Sequence, residues 1–256
     1  MTRVILIASG KGGVGKTTVS ANLAVALTKL GNDVLVIDAD LRTGQIGHHF
    51  GLTKKDETLI DVLEGKTSIH NVVYYHPAGI KFVPTGGSMY DVEARIDSNL
   101  GEAVLDLVGS VDIILIDAAA GIGEDIEKAA SISDEILIIT NPELPAIVEA
   151  LKMHKFALKR GLKPLGIVIN KYQGKNYELT EENIEEFTEL PVVAIIPDDE
   201  KVKRAIMEQT PITISEPNAK TSMEFKKLAA RVVGKEYVYI EETFFSRLKR
   251  FLKRYV

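Results

Sequence analysis

The sequence predicts an α/β protein. A single domain should hold a mostly parallel, twisted sheet with helices on both faces, followed by a short amphipathic C-terminal helix. Three observations predict it: apolar, β-branched runs recur along the chain, helical patterns lie between them, and the last residues separate charge from apolar side chains.

The runs are RVILIAS (3–9), DVLVIDA (33–39), IKFVPT (80–85), VDIILIDA (111–118), DEILIIT (134–140), LGIVIN (165–170) and PVVAIIP (191–197). Most are apolar nearly throughout, as strands covered on both faces of a parallel sheet must be. TTVSANLAVALTKLG (17–31) and PAIVEALKMHKFALKRG (145–161) read as helices that stop at glycine. Strands alternating with helices imply a doubly wound architecture. Residues 1–233 contain no repeat or low-complexity segment and read as one domain. GKEYVYIEET (234–243) reads as a junction, and 244–256 as the terminal helix.

Composition narrows the function. Of 256 residues, 45% are apolar and 26% charged, which suits a globular domain with a sizeable core. No run approaches the roughly 18–20 apolar residues of a membrane span. The start, MTRVILIASG, lacks a signal peptide's long apolar region, so a cytoplasmic protein is expected. The absence of cysteine excludes disulfides, thiolate zinc sites and cysteine-held iron–sulfur clusters. Net charge is −5, yet residues 241–256 carry +3 and the other 240 residues −8. The acidic body argues against broad nucleic-acid binding. The basic end points to a local, negatively charged partner.

GKGGVGKTT (10–18) fits G-x-x-x-x-G-K-[ST] through Gly10, Gly15, Lys16 and Thr17. A buried strand precedes it and an amphipathic helix is expected to follow, the context of a P-loop NTPase. Backbone N–H groups from Gly10 through Lys11, Gly12, Gly13, Val14 and Gly15 to Thr18 form a nest for phosphate oxygens, and the helix N-terminus adds positive potential. Lys16 should contact the β- and γ-phosphates, and the Thr17 hydroxyl should ligate Mg²⁺. Lys11 is an addition to the ordinary pattern.

Two acidic motifs follow. VLVIDADL (34–41) ends a buried run with Asp38 and Asp40, and IILIDAAAG (113–121) ends another with Asp117. Open parallel sheets bind ligands at the carboxyl ends of their strands, where these carboxylates sit. Asp117 after an apolar strand is the Walker B arrangement, which holds Mg²⁺ through water. Helix capping or turn formation is the plain alternative for Asp38 and Asp40. VINKY (168–172) and IIPDDE (195–200) also follow buried runs on the same side.

KGGVGKTT resembles the deviant phosphate loop of the MinD/ParA family of ATPases, of the SIMIBI class. The resemblance spans Lys11 to Asp199, with its motifs in family order and nearest to the MinD branch. It implies that Lys11 reaches across a homodimer to phosphates on the other subunit. It implies that Asp40 orients or deprotonates the attacking water and that Asp38 sits in the outer shell of Mg²⁺. It puts Asn170 on the adenine ring, with Pro197, Asp198 and Asp199 along its edge; capping a strand end is the plain reading of Asn170. GTPases of related fold use N-K-x-D, whereas here Asn170-Lys171-Tyr172-Gln173 lacks the aspartate, so ATP is favoured. Family members carry a proline where this chain has Ala119; without a locked φ, that loop is looser.

The tail, FFSRLKRFLKRYV (244–256), completes the sequence reading. On a helix, Phe244, Phe245, Leu248, Phe251, Leu252, Tyr255 and Val256 fall within an arc of about 140°. Arg247, Lys249, Arg250, Lys253 and Arg254 take the opposite arc. Aromatics facing Lys and Arg suit an anionic membrane surface, and the family resemblance points to a membrane-targeting helix. Docking on its own globule and contact with nucleic acid are the other readings. Each basic residue adds about 1 kcal/mol near anionic lipid, while ordering the backbone costs about 1–2 kcal/mol per residue. One tail therefore binds marginally, and two on a dimer gain about 10²–10⁴ in avidity. The expectation is an ATP- and Mg²⁺-dependent switch at the inner face of the cell membrane. It would act with an activating protein in spatial positioning or cell-division-site regulation. The alternative is a ParA-type DNA-partition or cargo-positioning ATPase on the nucleoid, which requires an exposed Lys/Arg patch on the body.

Overall fold

The computed structural model describes residues 1–52, 56–86 and 100–237. Its strands are β1 (Arg3–Ala8), β2 (Val34–Ala39), β3 (Tyr74–Tyr75), β4 (Lys81–Val83), β5 (Ile113–Ala118), β6 (Glu135–Thr140), β7 (Lys163–Tyr172) and β8 (Val192–Pro197). They form one sheet in the order β3-β4-β2-β5-β1-β6-β7-β8. Every pairing is parallel except β3 with β4. Each of the seven apolar runs forms a strand. The sequence reading missed β3, two residues long and held on the sheet edge by its pairing with β4.

The helices are α1 (Lys16–Lys29), α2 (Ile46–His49), α3 (Leu59–Leu63), α4 (Leu100–Leu105), α5 (Glu124–Ser131), α6 (Leu144–Lys159), α7 (Glu181–Thr188), α8 (Glu200–Met207), α9 (Ile212–Ser215) and α10 (Lys220–Val232). They cover both faces of the sheet, which explains the unbroken apolar strands. Along β1, Val4, Leu6 and Ala8 enter the core under α3 to α7, and Ile5 and Ile7 enter the core under α1, α2 and α8 to α10. A period of two thus divides one run between two cores.

Helix α1 departs from expectation. It is buried around nearly its whole circumference, from Val19 through Leu27, because α10 and α9 pack over the side that faces away from the sheet. It therefore shows no single apolar stripe. Phe225 of α10 is fully buried in this layer. At the opposite end of the strands, Arg3 bridges Glu135 and donates to the Val232 carbonyl, which ties the end of α10 to the sheet. Val232 closes α10, Gly234 takes φ 66°, and the proposed helix 244–256 with most of the 234–243 junction lies outside the described residues. Among the described residues, no helix is long and apolar enough to cross a membrane.

The carboxyl ends of β1, β2, β5, β7 and β8 carry Ser9, Asp38, Asp117, Asn170 and Pro197 to one edge of the sheet. Because that layer depends on Phe225, Phe225→Ala should cost about 3–5 kcal/mol of stability. Urea unfolding of parent and variant measures it, and a loss below about 1 kcal/mol would mean that α10 contributes little to the core.

Candidate nucleotide-binding site

The phosphate loop joins β1 to α1 and needs glycine for two reasons. Gly15, the N-cap of α1, takes φ 92°, and a Cβ there would overlap Asn170 Nδ2. The loop is held from outside as well. Asn170 Nδ2 donates to Val14 O at 2.7 Å, and Lys171 Nζ donates to Gly13 O at 2.7 Å. Asn141 Nδ2 donates to Asn170 O at 2.8 Å and fixes the strap in turn.

Beneath the loop lies a buried charge cluster. Lys16 Nζ is 3.1 Å from Asp117 Oδ1, with the side chains 8% and 0% exposed. Ser20, one turn along α1, donates to the same oxygen at 2.8 Å. Asp38 is in register with Asp117 on the neighbouring strand. Its Oδ2 accepts the Ile46 N–H at 3.0 Å at the start of α2. Burial, and then the negative charge of Asp117, pushes the Asp38 carboxyl up to about 8. Asp38 therefore carries a proton at neutral pH beside the Lys16–Asp117 pair. Asp117 Oδ2 is buried without a partner. An orphaned carboxylate oxygen next to Asp38 suits a hard, oxygen-seeking dication such as Mg²⁺.

Asp40 stands past the end of β2, half-buried. It accepts from the Thr43 N–H and hydroxyl, both at 2.9 Å, and lines the phosphate cleft. Asp38 and Asp40 thus divide: one forms the dry floor and the other the wet wall. That cleft, about 310 Å³, runs along Gly12 to Thr18 and also meets Ser9, Thr43, Gln45, His49 and Ala120. A second cleft of about 200 Å³ holds Gly15, Thr18, Asn170, Lys171, Pro197, Asp198 and Asp199. It gathers the residues expected to frame a base. Asp199 is committed within it to capping α8 at Lys201 N and to the Thr221 hydroxyl. The loop after β5, which lacks the family proline, is instead anchored at Gly121, whose N–H donates to Ser9 O at 2.8 Å. Lys11, outside both clefts, pairs with Glu143 at 3.3 Å with its side chain 46% exposed.

Some contributors were not expected. Lys171 straps the loop, and its place after Asn170 at a strand end was the only signal. Ser9 presents a buried hydroxyl without a partner at the cleft. His49, a poor candidate for metal ligation, reaches the loop: its Nε2 is 3.2 Å from Thr18 Oγ1. Burial holds its imidazole below the usual histidine range.

The raised Asp38 gives a pH test. Between the ordinary aspartate value and about 8 the folded chain holds a proton that the unfolded chain has lost. Stability should therefore fall as pH rises through that window. Asp38→Asn keeps an acceptor for Ile46 N–H and removes the titration. Without nucleotide or Mg²⁺ it should be more stable than the parent at pH 8, by a few kcal/mol. The gap should narrow toward pH 5. Urea unfolding across pH 5–8 reads this, and parallel pH curves would refute the protonated Asp38.

Comparison with known proteins agrees with this geometry. Residues 5–212 match the CobQ/CobB/MinD/ParA nucleotide binding domain. An ATP-binding protein of Methanocaldococcus jannaschii is 37% identical over 237 residues, covering 93% of this chain and 90% of that one. The septum site-determining protein MinD of Thermotoga maritima is 32% identical over 271 residues, covering 98% and 100%. The solved structure of MinD from Pyrococcus horikoshii complexed with Mg-ADP superposes with a TM-score of 0.85 at 33% identity, covering 91% and 96%. This chain therefore belongs to the CobQ/CobB/MinD/ParA family, in its MinD/ParA branch nearest MinD, and is an ATPase that works with Mg²⁺.

Proposed function

We propose that this ATPase is a MinD-like switch that dimerises with ATP and binds the membrane through residues 244–256. Lys11 carries the reading. It is not needed to build the phosphate loop, and it points away from the clefts toward Glu143. An exposed pair of this kind contributes about 0–1 kcal/mol, so Lys11 is free to leave for a stronger anion on a second subunit. In the resting chain Lys16 is already partnered by Asp117, so binding triphosphate requires exchange of that contact. Mg²⁺, held by Thr17 with Asp117 and Asp38 behind water, would neutralise charge developing on the transferring phosphoryl group. Lys16 assists from the loop. Asp40, whose oxygens face the cleft beside Thr43, orients or deprotonates the attacking water. Asn170, Pro197, Asp198 and Asp199 would frame the adenine.

Hydrolysis would loosen the dimer and so separate two marginal tails from lipid. The cellular role best suited to such a device is spatial positioning, including regulation of the division site, with an activating protein to time hydrolysis. The nucleoid reading draws less support. α8 and α10 carry seven basic residues against Glu200 and Glu224, but three of the lysines are partly spent on acids, as in Lys201–Glu216, Lys203–Glu200 and Lys227–Glu224.

Sedimentation velocity with ATP and Mg²⁺ should show a dimer for the parent and only monomer for Lys11→Ala. A Lys11 variant that dimerises like the parent would remove the cross-subunit role. Pelleting with vesicles rich in anionic lipid should require ATP and residues 241–256. Equal pelleting of the truncated chain would remove the membrane reading.

A further inference from the structure

Thr18 lines both clefts, the one along the phosphate loop and the one beside Asn170. A nucleotide that spans them passes Thr18 where its base-bearing half meets its outer phosphates, at the α-phosphate. The Thr18 hydroxyl has one proton to give. His49 Nε2 lies 3.2 Å from that hydroxyl, and His49 Nδ1 lies 3.2 Å from the Gln45 carbonyl oxygen. A carbonyl only accepts, so Nδ1 carries the ring proton. In the neutral ring, which burial favours, Nε2 is then an acceptor and takes the Thr18 proton. One proton cannot serve both the histidine and a phosphate oxygen.

The other end of the ring is tied to hydrolysis. Gln45 precedes α2, Ile46 N–H caps Asp38, and Asp40 with Thr43 lies in the same short loop. His49 is 6% exposed and lines the phosphate cleft among these residues. We propose that His49 is a positioning residue that competes with the α-phosphate for the Thr18 hydroxyl and thereby ties filling of the phosphate loop to the Asp40 loop. A phosphate oxygen accepts the Thr18 hydrogen bond in place of Nε2, the ring loses a partner, and α2 is released on the side that carries Asp38 and Asp40. A histidine that merely filled the core would not exchange partners with the ligand.

This inference rests on the nucleotide site and not on the dimer or the membrane, so its test uses ADP and the full chain without lipid. Isothermal titration should show His49→Leu binding ADP about three- to tenfold more tightly, the worth of one neutral hydrogen bond returned to the ligand. Its kcat should fall while KM falls with it, because the Asp40 loop has lost its tie. His49→Gln, which keeps an acceptor for Thr18, should bind within about twofold of the parent. In a Thr18→Val background, His49→Leu should leave ADP affinity unchanged. Unchanged or weaker binding by His49→Leu overturns the proposal, and so does an equal gain in the Thr18→Val background. A nitrogen-15 spectrum of histidine-labelled parent supplies a readout that needs no destabilising variant. The His49 Nε2 resonance, assigned by its loss in His49→Gln, should move on saturation with ADP, and an unmoved resonance overturns the proposal.

Discussion

The buried ion pair between Lys16 and Asp117 is the contact on which the rest of this site depends. Two charges removed from water are tolerated only when each finds its partner and further hydrogen bonds. That requirement sets where α1 must begin, where β5 must end and why Ser20 faces inward one turn later. It also governs Asp38. Buried out of water, and then set beside Asp117 with one lysine to share, it is driven to keep its proton. The floor is therefore charge-balanced, with one carboxylate oxygen of Asp117 left without a partner. On the proposed reading, triphosphate would enter by exchanging the existing Lys16–Asp117 contact, so its gain on binding would be a difference between two partnered states of Lys16.

The phosphate loop above that floor is held by residues from far along the chain. Asn170 and Lys171 lie more than 150 residues beyond the carbonyls they bind. Asn170 had been expected at the adenine. It lines the second cleft, and its amide also holds the loop, so a single side chain joins that cleft to the phosphate loop. Glycine at position 15 is what lets the two approach, since any Cβ would occupy the place of the Asn170 amide.

The acidic pair shows how far a motif can be read. Asp38 and Asp40 are two residues apart, and that spacing placed both carboxylates at the ligand edge. Their separation into a protonated, buried acid and a half-buried one bound to Thr43 was not legible, because β2 ends between them at Ala39. The same limit applies to α1, whose second apolar side is covered by a helix about 200 residues later. His49 was invisible for a related reason. A histidine next to another histidine carries no signal until the fold brings Thr18 to one ring nitrogen and Gln45 to the other.

The sequence by itself determined the fold class, the seven principal strands and the residues of the phosphate loop. Those depend on local chemistry: apolar runs that must be buried on both faces, and glycines beside a lysine and a threonine that must meet phosphate. It also determined the separation of charge from apolar side chains at residues 244–256, a property of spacing alone. The tertiary structure decided which charges share one dry floor, which acid keeps its proton and which side chains strap the loop. Those outcomes depend on distance and solvent exclusion between segments remote in the chain, and neither quantity exists until the sheet is assembled.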